Sequence, residues 1–100
     1  MSQQKEIGCY ILYSKKVNKY YIGVTQENLS ERIDKHNNGF YGKKSYTIID
    51  NNWTLYLFIP AANHQQALAI ERKIKSMKSR KYIENLKKYP EMIEKIMKSK

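Results

Sequence analysis

The sequence has a single cysteine, few acidic residues and no long hydrophobic run. Cys9 cannot form a disulfide within the chain, and no spacing of cysteine and histidine suggests a zinc site. No apolar run approaches the roughly 20 residues of a membrane span, and the amino terminus lacks a signal-peptide core. We therefore expect a cytoplasmic protein. Its 100 residues, 41% of them hydrophobic, are enough for one globular domain over residues 1–100.

Acidic residues are outnumbered by basic ones. Nine Asp and Glu face 19 Lys and Arg, which gives a net charge of +10. Such a surplus favours a polyanionic partner, usually nucleic acid, although lysines that only maintain solubility would give the same composition. Residues 70–88 carry eight basic side chains against Glu71 and Glu84, whereas a salt-bridged helix would interleave the signs. The predicted nucleic-acid-binding residues are Lys73, Lys75, Lys78, Arg80 and Lys81.

Two runs of β-forming residues lie near the amino terminus. Gly8–Ser14 and Lys19–Thr25 are joined by a short polar turn, which is typical of an antiparallel hairpin. Asn28 is a suitable N-cap for a helix. We expect this helix to cover about residues 29–38 and to end at Gly39, a common C-terminal breaker.

The rest of the sequence predicts one strand followed by helices. Residues 39–51 should form a loop with a short β-prone piece, and the apolar run Trp53–Ile59 predicts a buried strand ended by Pro60. A helix capped by Asn63 follows, and its apolar residues are spaced by three or four positions. These residues are Ala67, Ile70, Ile74 and Met77. Ser79 then interrupts the pattern.

Two further helices complete the predicted architecture. One contains Tyr82, Ile83 and Leu86, and a last short helix begins near Pro90 and forms an extension over residues 90–100. The order of strand, strand, helix, strand and helices predicts an α+β fold, with one small antiparallel sheet covered by helices.

Glu71 is isolated among basic residues, since it is the single acid of positions 51–83. It lies one helical turn after Ala67, so its carboxylate should lean towards the sheet. A partly buried carboxylate either forms an ion pair, here with Arg72, Lys75 or a helix-capping lysine, or binds a cation. Mg²⁺ needs only one or two carboxylates, because water and substrate phosphate complete its shell. Glu71 is therefore a candidate metal ligand.

Arg32 and His36 are four residues apart on the first predicted helix, so they share one face. The guanidinium group of arginine suits a phosphate, and histidine carries or relays a proton near neutral pH. Alternatively, both are ordinary solvent-facing residues whose charge is neutralised by Glu31 and Asp34.

Tyrosine is abundant, with nine in the chain, and four of them crowd the predicted hairpin. These are Tyr10, Tyr13, Tyr20 and Tyr21. Cross-strand aromatic packing accounts for some of them, and others could stack on nucleobases. A tyrosine can also act as a general base if nearby cations favour the phenolate, because its ordinary pKa is about 10. Arg32, nearby lysines and a bound metal would supply those cations.

Four short motifs, in order between Ile7 and Tyr89, resemble the GIY-YIG endonuclease family. They are Gly8-Cys9-Tyr10, Tyr21-Ile22-Gly23, Arg32 with His36, and Ala67 with Glu71, Ile74 and Lys75. The chain resembles the small stand-alone bacterial members, and more distantly the nuclease domains of excision-repair incision subunits and homing endonucleases. Cys9 replaces the isoleucine of the first motif. Val24 replaces a lysine typical of repair members, which argues against excision repair.

The resemblance implies a three-stranded antiparallel sheet flanked by helices and a DNA endonuclease that uses one Mg²⁺ or Mn²⁺ ion. Tyr10 would be the general base that activates water, with Tyr21 assisting it or positioning the phosphate. Arg32 would stabilise charge on the phosphate, and His36 would orient or deprotonate the tyrosine. Glu71 would hold the metal. The remaining candidates are the structural glycines Gly8 and Gly23, and Asn85, which would match an asparagine that many members carry after the metal-binding helix.

The predicted mechanism requires the phenols, the guanidinium group and the carboxylate to surround one phosphate-sized hollow. We expect DNA as the partner, whether single-stranded, branched or duplex, and a monomer or weak dimer. A partner protein could supply specificity. The alternative function is a non-catalytic nucleic-acid-binding module with the same fold.

Overall fold

The computed structural model describes residues 6–37 and 52–98, which form three strands and four helices. The strands are β1 (Gly8–Ser14), β2 (Lys19–Thr25) and β3 (Thr54–Pro60), and the helices are α1 (Leu29–Asn37), α2 (His64–Met77), α3 (Arg80–Lys88) and α4 (Pro90–Lys98). The predicted α+β class and three-stranded antiparallel sheet are confirmed. The expected helix end at Gly39 and the predicted loop of residues 39–51 lie outside the described residues.

Strand β1 is the centre of the sheet, between β2 and β3. All of its residues except Tyr13 are buried, because both of its edges are hydrogen-bonded and both of its faces are covered. Tyr10 lies opposite Gly23 on β2 and Phe58 on β3. The register against β3 shifts between Ile11 and Leu12. The backbone of Tyr10 is therefore flanked by β2 on one side and by β3 on the other.

The sheet separates two hydrophobic clusters. Because side chains alternate along a strand, Cys9 and Ile11 face α2, α3 and α4, whereas Tyr10 and Leu12 face α1. The cluster facing the three helices has eight buried residues, and the cluster facing α1 has four. Most of the apolar core therefore lies on the side of the sheet opposite Tyr10.

Strand β3 differs from its predicted burial. Thr54 is exposed and Leu55 is 43% exposed, although the sequence predicts a buried strand. The strand also includes Pro60 as its last residue instead of ending before it. Both differences follow from the position of β3 at the edge of the sheet that the described residues form, where proline is tolerated. Trp53, just before the strand, is buried.

The helices follow the predicted caps. The backbone N–H of Glu31 donates to Asn28 Oδ1 at 3.1 Å, and that of Gln66 donates to Asn63 Oδ1 at 2.8 Å. The apolar stripe of α2 is shorter than predicted, because Met77 is 40% exposed at the point where the helix ends. Within the described residues, no helix has the length and hydrophobicity that crossing a membrane requires.

Candidate active site

Tyr10 forms the centre of a buried polar network between β1 and α1. Its hydroxyl oxygen lies 2.7 Å from His36 Nε2, and Arg32 Nε donates a hydrogen bond to the same oxygen at 3.3 Å. Tyr10 is 1% exposed and His36 is 3% exposed. The predicted spacing of Arg32 and His36 on one helical face thus places both beside the phenol, because successive turns of α1 lie against β1.

The direction of these hydrogen bonds follows from the donors present. Arg32 can only donate, so the oxygen of Tyr10 accepts that bond. The phenolic hydrogen is then free to point to His36 Nε2, which accepts it when the imidazole is neutral and protonated on Nδ1. Tyr10 is therefore connected to a proton acceptor on one side and to a fixed positive charge on the other.

The protonation of His36 agrees with this arrangement. Burial first, and the positive charge of Arg32 second, together lower the pKa of His36 to about 4. At neutral pH the imidazole is consequently uncharged, with Nε2 available to accept a proton. The same low pKa makes the imidazole a weak proton acceptor.

Tyr21 and Gly23 from the second motif lie against the same network. The ring of Tyr21 is centred 4.9 Å from that of His36 and 6.4 Å from that of Tyr10. A Cβ atom on Gly23 would lie 2.6 Å from Cζ and Oη of Tyr10. The close neighbour at Gly23 is therefore the Tyr10 side chain. At Gly8 a Cβ would instead collide with the backbone carbonyl of Ile59.

Glu27 is a member of the network that the sequence patterns do not identify. Arg32 Nη1 donates to its carboxylate at 3.2 Å, and Lys35 Nζ lies 3.3 Å from the same oxygen. These hydrogen bonds, from Arg32 first and Lys35 second, lower the pKa of Glu27. Glu27 precedes α1, so the rule for neighbours within a helix does not predict its contact with Arg32. Its position directly before the cap residue Asn28 is the signal that could have indicated it.

Arg32 also lines a cavity at the end of β2. The cavity measures about 450 Å³ and is bordered by Val24, Gln26, Glu27, Arg32 and His64. His64 is the first residue of α2, so this cavity joins α1 to the helix on the opposite side of the sheet. Arg32 thus borders this cavity as well as the Tyr10 network.

Glu71 lies on α2 and is partly buried, with 19% of its side chain exposed. Lys75 Nζ pairs with its carboxylate at 3.2 Å, which is one of the two roles predicted for it. Its neighbour on β1 is Cys9: burial first, and the charge of Glu71 second, raise the pKa of that thiol to about 12. Cys9 and Tyr10 point to opposite faces of the sheet.

The spatial relation of Glu71 to the Tyr10 network bears on the predicted metal site. Among the described residues, the contacts that join Tyr10, Arg32 and His36 do not extend to Glu71. However, His64 and Glu71 are seven residues apart, so they lie on the same face of α2, and His64 borders the Arg32 cavity. The role of Glu71 as a metal ligand stays a prediction.

No group of three or more His, Cys, Asp or Glu side chains that could hold a metal lies within residues 6–37 and 52–98. A site built from several protein ligands is therefore not available in this part of the chain. A single carboxylate such as Glu71 fits a hard cation that retains most of its water ligands.

The predicted nucleic-acid-binding residues lie on or between α2 and α3, and all are exposed. These residues are Lys73, Lys75, Lys78, Arg80 and Lys81. Lys75 pairs with Glu71, and Arg80 with Glu84 at 3.4 Å. Asn85 lies on α3, partly buried.

Comparison with known proteins identifies the family of the chain. The model of the GIY-YIG catalytic domain matches residues 6–85, which include all four motifs. No curated protein and no solved structure matches the chain. The matched region begins just before β1 and ends within α3, and α4 follows it. The chain therefore belongs to the GIY-YIG family, whose members are nucleases.

Proposed function

We propose that this protein is a divalent-metal-dependent endonuclease that hydrolyses phosphodiester bonds in DNA. The observation that carries the proposal is the buried network of Tyr10, Arg32 and His36, which lies within the region matched to the GIY-YIG catalytic domain. Burial of the Tyr10 hydroxyl and the His36 imidazole lowers stability unless they are hydrogen-bonded, and such buried titratable groups are frequent at functional sites.

In the proposed reaction, Tyr10 is the general base. The attacking water gives a proton to the phenol oxygen while the phenolic hydrogen passes to His36 Nε2, 2.7 Å away. The water oxygen then forms a bond to phosphorus, and the bond from phosphorus to the leaving oxygen breaks. Arg32 Nε donates a hydrogen bond to the Tyr10 oxygen at 3.3 Å, so its positive charge stabilises negative charge on that oxygen as the phenolic hydrogen leaves.

Arg32 would have a second function as a phosphate ligand. Its guanidinium group borders the 450 Å³ cavity and can stabilise the charge that develops on the phosphate oxygens. A bound phosphate would also neutralise the charge of Arg32, which is one of the two causes that lower the pKa of His36. Substrate binding should therefore make His36 a better proton acceptor.

Glu71 is the proposed ligand of one Mg²⁺ or Mn²⁺ ion. When bound, the ion supplies Lewis-acid stabilisation of the phosphate and the leaving oxygen. To accept it, the carboxylate of Glu71 must give up its ion pair with Lys75, which is 55% exposed and can turn to solvent. Glu71 would then bind the ion, and Lys75 would be free to contact a phosphate of the substrate.

The test is cleavage of labelled single-stranded, flapped and duplex oligonucleotides by Glu71→Gln, with magnesium or chelator. We expect loss of magnesium-dependent products with much of the DNA binding retained, because the basic surface remains. Glu84→Gln is the matched control, since it removes a similar ion pair between residues four apart, with Arg80. Cleavage by Glu71→Gln at the parent rate in magnesium would contradict the metal role.

A second candidate function is a nucleic-acid-binding module without turnover. Two observations favour it: Tyr10 is 1% exposed, and Glu71 already has an ion-pair partner. Both functions predict salt-sensitive binding, because phosphate contacts release counterions. The nuclease alone predicts products that require magnesium or manganese, so the parent protein in the same assay separates the two.

A further inference from the structure

A groove between the β-hairpin and the junction of α2 and α3 carries a concentration of positive charge. It measures about 340 Å³, and its apolar floor includes Ile22, Ile74 and Ile83. Four cationic side chains border it. These are Lys19, Lys75, Lys78 and Arg80. No acidic side chain borders the groove within the described residues, so its field favours an anion.

The two walls of the groove are tied together by Arg80. Its Nη1 donates to the backbone oxygen of Asn18 at 3.0 Å, and its Nη2 donates to Asn18 Oδ1 at 2.5 Å. Tyr13 donates its hydroxyl hydrogen to the same Oδ1 at 2.6 Å. The hairpin turn and the first residue of α3 are thus fixed relative to each other, so the groove is pre-formed.

Lys78 occupies a backbone conformation that disfavours lysine. Its φ of 48° lies in the left-handed region, and it caps the C-terminus of α2, where glycine is the usual residue. Asn18, on the opposite wall, is the other described non-glycine residue with positive φ. A strained position filled by a charged residue points to a role for that side chain.

The cations of the groove differ in their partners. Lys75 and Arg80 form ion pairs with Glu71 and Glu84. Within the described part of the chain, the ammonium groups of Lys19 and Lys78 have no acidic partner, and both residues are exposed. Both lysines border the groove and are available to an external anion.

We propose that this groove binds the sugar–phosphate backbone of the DNA substrate away from the scissile bond, with Lys19 and Lys78 contacting phosphates. The proposal rests on the proposed nuclease function and adds a second contact region to it. Charge complementarity identifies the occupant: the rim supplies cations for phosphates, and the apolar floor suits the sugars between them.

Strand β2 sets the distance between this groove and the Arg32 cavity. Lys19 borders the groove, and Val24, five residues later on the same strand, borders the cavity. At about 3.4 Å per residue, the offset between the two along the strand is about 17 Å. That length corresponds to about five nucleotides along one strand, at a rise of about 3.4 Å each. The groove would therefore contact phosphates on one side of the cut.

The experiment measures DNA binding by fluorescence anisotropy, in EDTA to prevent cleavage and across a series of salt concentrations. The variants are Lys19→Gln, Lys78→Gly and both together. Lys78→Gly removes the cation and relieves the left-handed strain, so the protein should melt at a higher temperature yet bind DNA more weakly. A plot of log affinity against log salt has a negative slope. Each substitution should reduce the magnitude of this slope by about one, and the pair by about two.

Lys98→Gln is the matched control, because it removes the same charge from the last turn of α4, outside the groove. The pair of substitutions should also lose its effect on oligonucleotides shortened to fewer than about five nucleotides on one side of the cut. Slopes equal to the control, in a parent protein that cuts DNA, would overturn the groove alone. If the variants showed reduced slopes but the parent protein gave no cleavage product, the nuclease function would be rejected and the DNA-binding role of the groove would stand.

Discussion

The two faces of the central sheet bury different kinds of side chain. The face towards α2, α3 and α4 packs eight buried side chains, all of them aliphatic except Cys9. The face towards α1 buries four hydrophobic residues together with His36 and the hydroxyl of Tyr10. Buried apolar area is the main source of stability. The face towards α2, α3 and α4 should therefore contribute most of the folding free energy, and the face towards α1 most of the chemistry.

This division explains why one strand can serve both purposes. Alternation along β1 sends Cys9 and Ile11 into the aliphatic core and Tyr10 into the polar network. The phenol is thereby attached to the most thoroughly buried element of the fold, which holds it in place while the network around it exchanges protons. Substitutions on the two faces should consequently separate loss of rate from loss of stability.

The largest expected effect is from Tyr10→Phe. It removes the proposed base but keeps the ring over Gly23, so the cleavage rate should fall by about 10²–10⁴-fold. The free energy of unfolding should fall by about 1–3 kcal/mol, because the buried hydrogen bond between Tyr10 and His36 is lost. Single-turnover cleavage and urea unfolding measure the two quantities.

Two comparison variants give this result its meaning. Tyr21→Phe tests the other tyrosine, which is less buried. A larger loss of cleavage rate in this variant than in Tyr10→Phe would indicate that Tyr21 is the general base. Leu86→Ala, in the opposite core, should cost about 2–5 kcal/mol of stability while the folded protein keeps its rate. If Leu86→Ala slowed the folded enzyme as much as Tyr10→Phe, the division between the faces would be wrong.

How far the sequence predicts this fold depends on how local each signal is. The hairpin, the caps at Asn28 and Asn63, and the pairing of Arg32 with His36 on one face follow from turn chemistry and helical periodicity, and the structure confirms them. The burial of β3 is different. An apolar run predicts burial, but exposure depends on whether a strand is central or at an edge, and this is a property of the whole sheet.

The candidate site has the same limit. The motifs predict Tyr10, Arg32 and His36, whose contacts join β1 to α1. Glu27 is not predicted, because its contact with Arg32 depends on the path of the chain between β2 and α1. Whether Glu71 reaches the same phosphate depends on the packing of α2 across the sheet, which no spacing rule encodes.

The second effect concerns the pH dependence of stability. Burial holds the folded pKa of His36 at about 4, below the ordinary value of 6.5, so the unfolded chain binds more protons between these values. The contribution of His36 to stability is therefore present above about pH 6.5 and is lost as the pH falls towards 4. We expect a decrease of up to about 3 kcal/mol in the free energy of unfolding across this window.

Urea unfolding at several pH values measures this dependence, and His36→Gln should remove the part that His36 contributes. His64→Gln is the natural control, since His64 is the other histidine of the sequence and is exposed. Equal pH profiles for the parent and His36→Gln would show that the imidazole is not buried in its neutral form, and the polar face would lose its central proton acceptor.

The smallest expected effect is from Glu27→Gln, which tests the outer edge of the network. Both ion pairs of Glu27 are about one-third exposed, so their removal should change the free energy of unfolding very little. The rate should fall by roughly three- to tenfold, because Arg32 loses the carboxylate that orients it while keeping its charge. Glu31→Gln, on the exposed side of α1, is the control for loss of a negative charge. A positioning role predicts a lower kcat with little change in KM, whereas a carboxylate that merely competes with phosphate for Arg32 predicts a lower KM at unchanged kcat.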